Sequence, residues 1–182
     1  VRLLGVSSGQ VLFRGEDISH LDEAQLKPLR RDLQMIFQDP MSSLNPRHTV
    51  GRIVASPMKR YGIDAAEKQA LEALERVGLS SAFAKRYPHE LSGGQRQRVG
   101  IARAVALNPA FILADEIVSG LDVSSQAQVL SLLRGLAADM NLTIAFISHD
   151  LSVIRTVCSQ IMVLNRGEIV EAGQCEQVFN AP

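Results

Sequence analysis

Leu91-Ser92-Gly93-Gly94-Gln95-Arg96-Gln97-Arg98-Val99-Gly100-Ile101-Ala102-Arg103-Ala104 is the stretch from which the rest of the chain can be ordered. Ser92 and Gln95 stand three residues apart, the spacing of a helix N-cap and its reciprocal partner. A cap accounts for these two residues but not for Gly93 and Gly94. Glycines at a helix start leave backbone N–H groups bare and let a phosphate approach the positive end of the helix dipole, where the Ser92 hydroxyl can add a hydrogen bond. The stretch therefore reads as an anion-binding helix terminus, with a plain well-capped helix as the alternative. The helix runs from about Gln95 to Leu107, where Asn108-Pro109 stops it.

Downstream the pattern alternates. Phe111 to Ala114 is a fully apolar strand that reaches Asp115 and Glu116, a helix covers about Ser125 to Asp139, and the strand Thr143 to Ser148 ends at His149. Ile161 to Leu164, the turn Asn165-Arg166-Gly167 and Glu168 to Val170 make a terminal hairpin. Upstream, Val11 to Phe13 is a short strand before the turn pair Arg14-Gly15, and Leu33 to Phe37 is a second strand ending at Gln38. Met41 to His89 breaks the alternation with loops and helices and with prolines at 46, 57 and 88. Within it Asp64 and Glu67 read as a capping pair, Leu71, Leu74 and Val77 as an apolar stripe, and Gly78 as the stop. Strands alternating with helices predict an α/β fold with a mainly parallel sheet covered on both faces.

Ligands of open parallel sheets gather at the carboxyl ends of the strands, and three such ends carry polar groups here: Gln38, Asp115-Glu116 and His149. Adjacent acids after an apolar strand suit metal-nucleotide chemistry. Asp115 can hold Mg²⁺ directly or through water, while Glu116 orients or deprotonates an attacking water. Two acids after a strand also occur where a strand merely leaves the core, and a lone histidine at a strand end is often structural. The convergence of the three ends is what points to function.

Composition narrows the classes without naming one. The 182 residues are 46% hydrophobic and 21% charged, as in globular domains, with 19 Lys plus Arg against 19 Asp plus Glu. No net field favours nucleic acid or an anionic membrane. The longest apolar runs fall far short of the roughly 20 residues that span a bilayer. Cys158 and Cys175 lack metal-ligand spacing and read as two thiols in a reducing compartment.

Taken together, these motifs resemble the ABC ATPase family. Leu91 to Ala104 is similar to its signature motif, Gln38 falls at its Q-loop, Phe111 to Glu116 at its Walker B strand, Ser119 to Asp122 at its D-loop and His149 at its switch histidine. The resemblance covers nearly the whole chain and implies a P-loop NTPase-like fold with an inserted helical subdomain, its ATPase core at 1–40 and 91–182 and the helical part at 41–90. It implies ATP and Mg²⁺ as cofactors, with Glu116 the general base, Asp115 and Gln38 on the metal, and His149 on the γ-phosphate. Ser92, Gly93, Gly94, Gln95 and Asp122 would serve nucleotide held by the facing subunit of a head-to-tail dimer. Phe37 to Arg47 and Leu121 to Val129 narrow the likeness to importers of dipeptides, oligopeptides, glutathione or nickel. The implied partners are transmembrane permease subunits, a second identical or related ATPase subunit and, indirectly, an extracytoplasmic solute-binding protein, with no nucleic acid. The implied location is the cytoplasmic face of the cell membrane.

Several positions depart from the family pattern. Ile117 stands where relatives commonly have Pro or Ala, and Gly120 where many have Ala. The phosphate loop Gly-x-x-x-x-Gly-Lys-Ser/Thr is absent from these residues, and none of Lys27, Lys59, Lys68 or Lys85 follows a glycine. Val1 to Leu4 reads as the end of the helix that follows such a loop, so the N-terminal part of the domain is expected to be missing. The chain alone is then expected to grip Mg-ATP weakly. The alternative reading is a non-hydrolysing remnant or regulatory subunit that docks on transporter partners.

Overall fold

A computed structural model describes residues 5–180. It comprises two compact units, one ending at Ala145 and one beginning at Phe146. The expectation of a helix end at Val1 to Leu4 lies outside the described residues.

In the first unit Arg14 and Gly15 take φ of 52° and 83°. Positive φ at both central residues suits the natural twist of a two-residue hairpin. This turn folds β1 (Leu12–Phe13) antiparallel onto β2 (Glu16–Asp17). Helix α1 (Glu23–Asp32), which the sequence reading did not anticipate, starts on a reciprocal cap. The Asp22 carboxylate accepts the Gln25 N–H at 2.8 Å and the Gln25 Oε1 accepts the Asp22 N–H at 3.0 Å. Its Leu26 packs with Ile18 and Leu33, all buried, against the partly buried Phe13, Leu29 and Phe111.

The expected parallel sheet is present as β3 (Leu33–Ile36), β4 (Phe111–Asp115) and β5 (Thr143–Ile147), in the order β3-β4-β5. Leu33 lies opposite Phe111 and Ile36 opposite Ala114 in a parallel register. The Ala110 N–H donates to the Asp32 carbonyl and the Thr143 N–H to the Ala110 carbonyl, so the three strands start from one edge. Consequently the carboxyl ends of β3 and β4, with Gln38 and Glu116 just beyond them, fall on one side. Ile112 and Ala114 are fully buried.

Between β3 and the next long helix lie α2 (Pro40–Ser43), α3 (Val50–Arg60), α4 (Ala66–Arg76) and two 3₁₀ turns, Ser81–Lys85 and Pro88–Glu90. Val50, Val54 and Met58 of α3 are buried, as are Ala70 and Leu74 of α4, where the two helices pack together. The expected cap at Asp64 is corrected: the N-cap is Ala65, at φ 52° and without a side-chain cap bond. The left-handed backbone there leaves Asp64 one residue ahead of the cap position, and Glu67 pairs instead with Lys59 across to α3. The C-terminus is as expected. Gly78 has φ 72°, and the Leu79 and Gly78 N–H groups return to the carbonyls of Leu74 and Glu75, the pairing that satisfies the last carbonyls of a helix.

Helix α5 (Gly93–Val105) packs on α2, α3, α4, β3 and α6 (Val123–Asp139). It begins two residues before the expected start, because the cap is Ser92 itself and the glycines are its first turn. Its Val99, Ile101, Ala102 and Val105 have no more than trace exposure.

The second unit contains α7 (Leu151–Val157), the antiparallel pair β6 (Gln160–Asn165) and β7 (Glu168–Gln174), and α8 (Cys175–Asn180). Arg166 and Gly167, at φ 50° and 87°, form the predicted hairpin turn. Helix α8 packs on both strands and on α7. Cys175 is buried and Cys158 half-buried, and both are free thiols. Burial, with the Cys175 thiol as a lesser cause, pushes Cys158 above the ordinary thiol range.

Candidate nucleotide-hydrolysis site

Gln38 and Glu116 are 78 positions apart in the chain, yet the Gln38 Nε2 donates to the Glu116 Oε2 at 2.6 Å. Parallel pairing of β3 with β4 brings their carboxyl ends side by side, and each residue sits just past its strand. Asp115 is the last residue of β4 and is half-buried. Glu116 then turns the chain, with φ 45°. A non-glycine residue in this left-handed region costs on the order of 1 kcal/mol or more and is held there by its surroundings. The turn continues with the Ser119 N–H donating to the Glu116 carbonyl. Ile117, a departure from the family pattern, is 1% exposed and so is a core residue of this turn. Gly120, the other departure, has φ 76° in open space, a backbone that Ala would strain.

The start of α5 forms a second cluster. Ser92 Oγ accepts the Gln95 N–H at 3.3 Å, and the Gln95 Oε1 accepts the Ser92 N–H at 3.0 Å. The Gln95 side chain is thus engaged in the cap, while Ser92 is exposed. A Cβ on Gly93 would lie 3.6 Å from Leu121 Cδ2, and one on Gly94 would lie 3.5 Å from Ser125 Oγ. Those are ordinary contacts, so relief of crowding inside this chain does not require either glycine. Asp122 caps α6, accepting from the Ser125 N–H at 2.9 Å and the Ser125 hydroxyl at 2.7 Å. The hydroxyl first, then the amide, holds the exposed Asp122 carboxylate below its usual range. The fold therefore brings Ser92, Gly93 and Gly94 beside Leu121 and Asp122. His149 belongs to the second unit, in the bend after β5, and the adjacent Asp150 caps α7 through Ser152.

Two arginines inside the quoted motif do work that the motif string does not reveal. Arg103 is largely buried, its charge disfavoured by desolvation, and its Nη1 donates to the Ser43 carbonyl at 2.5 Å. It ties α5 to the segment just after Gln38. Arg98 bonds to Val77 and Gln128. Only the packing of the helices separates such arginines from surface charge. Near Arg103 a groove of about 800 Å³ is lined by Lys27, Arg30, His48, Arg60 and Tyr61, and it also includes Phe37, the residue before Gln38. Among the described residues no three His, Cys, Asp or Glu side chains form a cluster able to hold a metal alone. No helix among them is long and apolar enough to cross a membrane.

The family model described as ABC transporter matches residues 1–119. The chain is 48% identical over 186 residues to the oligopeptide transport ATP-binding protein AppF of Bacillus subtilis, covering all of this chain and 56% of that protein. It is 49% identical to the dipeptide transport ATP-binding protein DppF of Lactococcus lactis over 97% of this chain and 58% of that protein. The chain thus spans little more than half the length of these relatives. The solved dimer of the ATP-binding cassette MJ0796 in a post-hydrolysis state, bound to ADP and Pi, matches with a TM-score of 0.82 and 32% identity, over 95% of this chain and 76% of that one. A carboxylate and a glutamine joined at two parallel strand ends, a glycine-started helix beside a capped turn, and these likenesses place the chain in the ABC transporter family of ATP-binding proteins.

Proposed function

We propose that this chain is the ATP-hydrolysing part of an importer for peptides or similar small solutes, and that Glu116 is the general base. The observation that carries the reading is the 2.6 Å bond from Gln38 to Glu116. It aims one carboxylate oxygen with a neutral donor, which helps to fix the group in place. A carboxylate so held can accept a proton from a water attacking the γ-phosphate. With Nε2 committed to Glu116, the amide oxygen of Gln38 is the atom available to a cation. Asp115 supplies a half-buried carboxylate one residue away. Mg²⁺ is commonly bound by one or two carboxylates plus substrate phosphates, so Asp115 and Gln38 fit an ion that arrives with ATP. The metal would neutralise charge on the phosphates.

Ser92, Gly93 and Gly94, with Asp122 beside them, are assigned to nucleotide held by a second ATPase subunit. The support is that packing within this chain demands neither glycine, and that the start of a helix presents backbone N–H groups to an external anion. The groove lined by Lys27, Arg60 and Arg103 next to the Gln38 segment is assigned to the permease. This reading places the subunit at the cytoplasmic face of the membrane.

The test is Glu116→Gln in the intact protein that carries this sequence. Mg-ATP binding is retained, and turnover falls by about 10² to 10⁴, the usual worth of a general base. Unchanged steady-state hydrolysis would remove Glu116 from the role.

A further inference from the structure

Arg98 grows from α5 but reaches two other helices. Its Nη1 donates to the Val77 carbonyl at 3.0 Å, the C-cap of α4, and its Nη2 donates to the Gln128 Oε1 on α6 at 2.9 Å. The first contact suits a cation, because the carbonyl end of a helix carries the negative end of its dipole. The second needs a donor pointing another way. A planar guanidinium offers both at once, whereas the single ammonium of a lysine does not present a rigid fork.

Room for this fork depends on Gly78. A Cβ there would lie 2.8 Å from Arg98 Nη1, closer than side chains pack. Helices α5 and α6 already pack together, and at their N-terminal ends they lie so close that a Cβ on Gly93 would meet Leu121, just ahead of α6, and one on Gly94 would meet Ser125. Arg98 joins them again about one turn along and adds α4 to the same body. The helices so joined carry Ser92, Gly93 and Gly94 on one, Asp122 at the cap of the next, and the helical segment 41–90 on the third.

We infer that Arg98 is a positioning residue: it makes α4, α5 and α6 move together, so that a displacement of the helical segment reaches the Ser92–Gly94 helix start and Asp122 at the same time. The inference rests on the hydrolytic function proposed above, but the tie itself can be read without nucleotide.

Arg98→Met, Arg98→Lys and Gln128→Leu are made in the intact protein. Amide hydrogen exchange is followed at Gly78 and Leu79, which bond to Glu75 and Leu74, and at Ser125 and Gln126, which bond to Asp122. With Arg98→Met, protection falls about tenfold at both ends, the scale of losing hydrogen bonds from a charged donor. The kcat for ATP falls about tenfold while KM stays within twofold, as for an interaction that acts on turnover and not on ground-state binding. Arg98→Lys recovers less than half of the lost protection. Gln128→Leu, at an exposed position, loses protection at Ser125 and lowers kcat while Gly78 stays protected, and it decides the matter if Arg98→Met does not fold. Loss of protection at Gly78 alone, or loss at both ends with kcat unchanged, overturns the inference. Absence of hydrolysis in the unmutated protein overturns the hydrolytic reading instead, and unaltered exchange in Arg98→Met overturns the tie.

Discussion

Gly78→Ala isolates the space that Arg98 occupies, because a second glycine provides its control. Gly78 and Gly62 both have left-handed backbones, at φ 72° and 66°, but a Cβ at Gly62 meets nothing within 4 Å. Placing Ala in that region costs about 1 to 2 kcal/mol, of which about 0.4 to 1 is returned by the stiffer unfolded chain. Gly62→Ala should therefore destabilise by about 0.5 to 1 kcal/mol. At Gly78 the new methyl also strikes Arg98 Nη1 at 2.8 Å, and the guanidinium must move away from the Val77 carbonyl. A hydrogen bond from a charged donor contributes about 1.5 to 3 kcal/mol; since Arg98 is half-buried and can take water in exchange, about 1 kcal/mol of this is lost. The sum for Gly78→Ala is then about 2 kcal/mol. At about 2 to 4 °C per kcal/mol for a unit of this size, Tm should drop by about 4 to 8 °C, against about 1 to 4 °C for Gly62→Ala. Thermal unfolding followed by circular dichroism measures both. In an Arg98→Ala background the two glycine substitutions should cost the same. Equal losses in the unmutated background would show that the methyl at Gly78 displaces nothing of value.

Two other outcomes follow from the α5 and α6 termini. Ser92→Arg should abolish ATP turnover in the assembled dimer while leaving the ATP affinity of dilute monomer within about threefold, because the arginine fills the space over Gly93 and Gly94 and not the chain's own pocket; a large fall in monomer affinity would place Ser92 in that pocket. Asp122 titrates below the ordinary carboxylate range because of Ser125, so its contribution to the α6 cap is present above the unfolded carboxyl value and is lost as pH falls through the lower folded one, in the acid region below about 4. Ser125→Ala should raise the Asp122 midpoint observed by carbon NMR and make the cap less sensitive to pH there, and an unmoved midpoint would refute the assigned cause.

Much of this protein is legible in its sequence wherever the cause is local. The Ser92 and Gln95 cap, the Arg166-Gly167 and Arg14-Gly15 turns and the Gly78 stop each depend on a few neighbouring residues, and each formed as their chemistry demands. Apolar Phe111 to Ala114 followed by two acids announced a buried strand and a candidate site. Asp64 shows how local reading fails: a plausible capping spacing lost to a left-handed Ala65 and to an ion pair between Glu67 and Lys59 on another helix. Helix α1 escaped notice because it is short and largely polar, with Leu26 its only fully buried residue.

The sequence by itself determined the alternation of strands and helices, the capped glycine helix and the kinds of residue at the strand ends, since periodicity, turn chemistry and capping act over a few positions. Only the tertiary structure decided that Gln38 aims Glu116 across 78 positions, that Gly93 and Gly94 are not required by crowding, and that Arg98 and Arg103 join separate helices. Those facts depend on strand register and on which long side chains meet across packed elements. An arginine carries no mark in the chain of whether its fork will face water or a carbonyl, and that choice is made only when the helices around it pack.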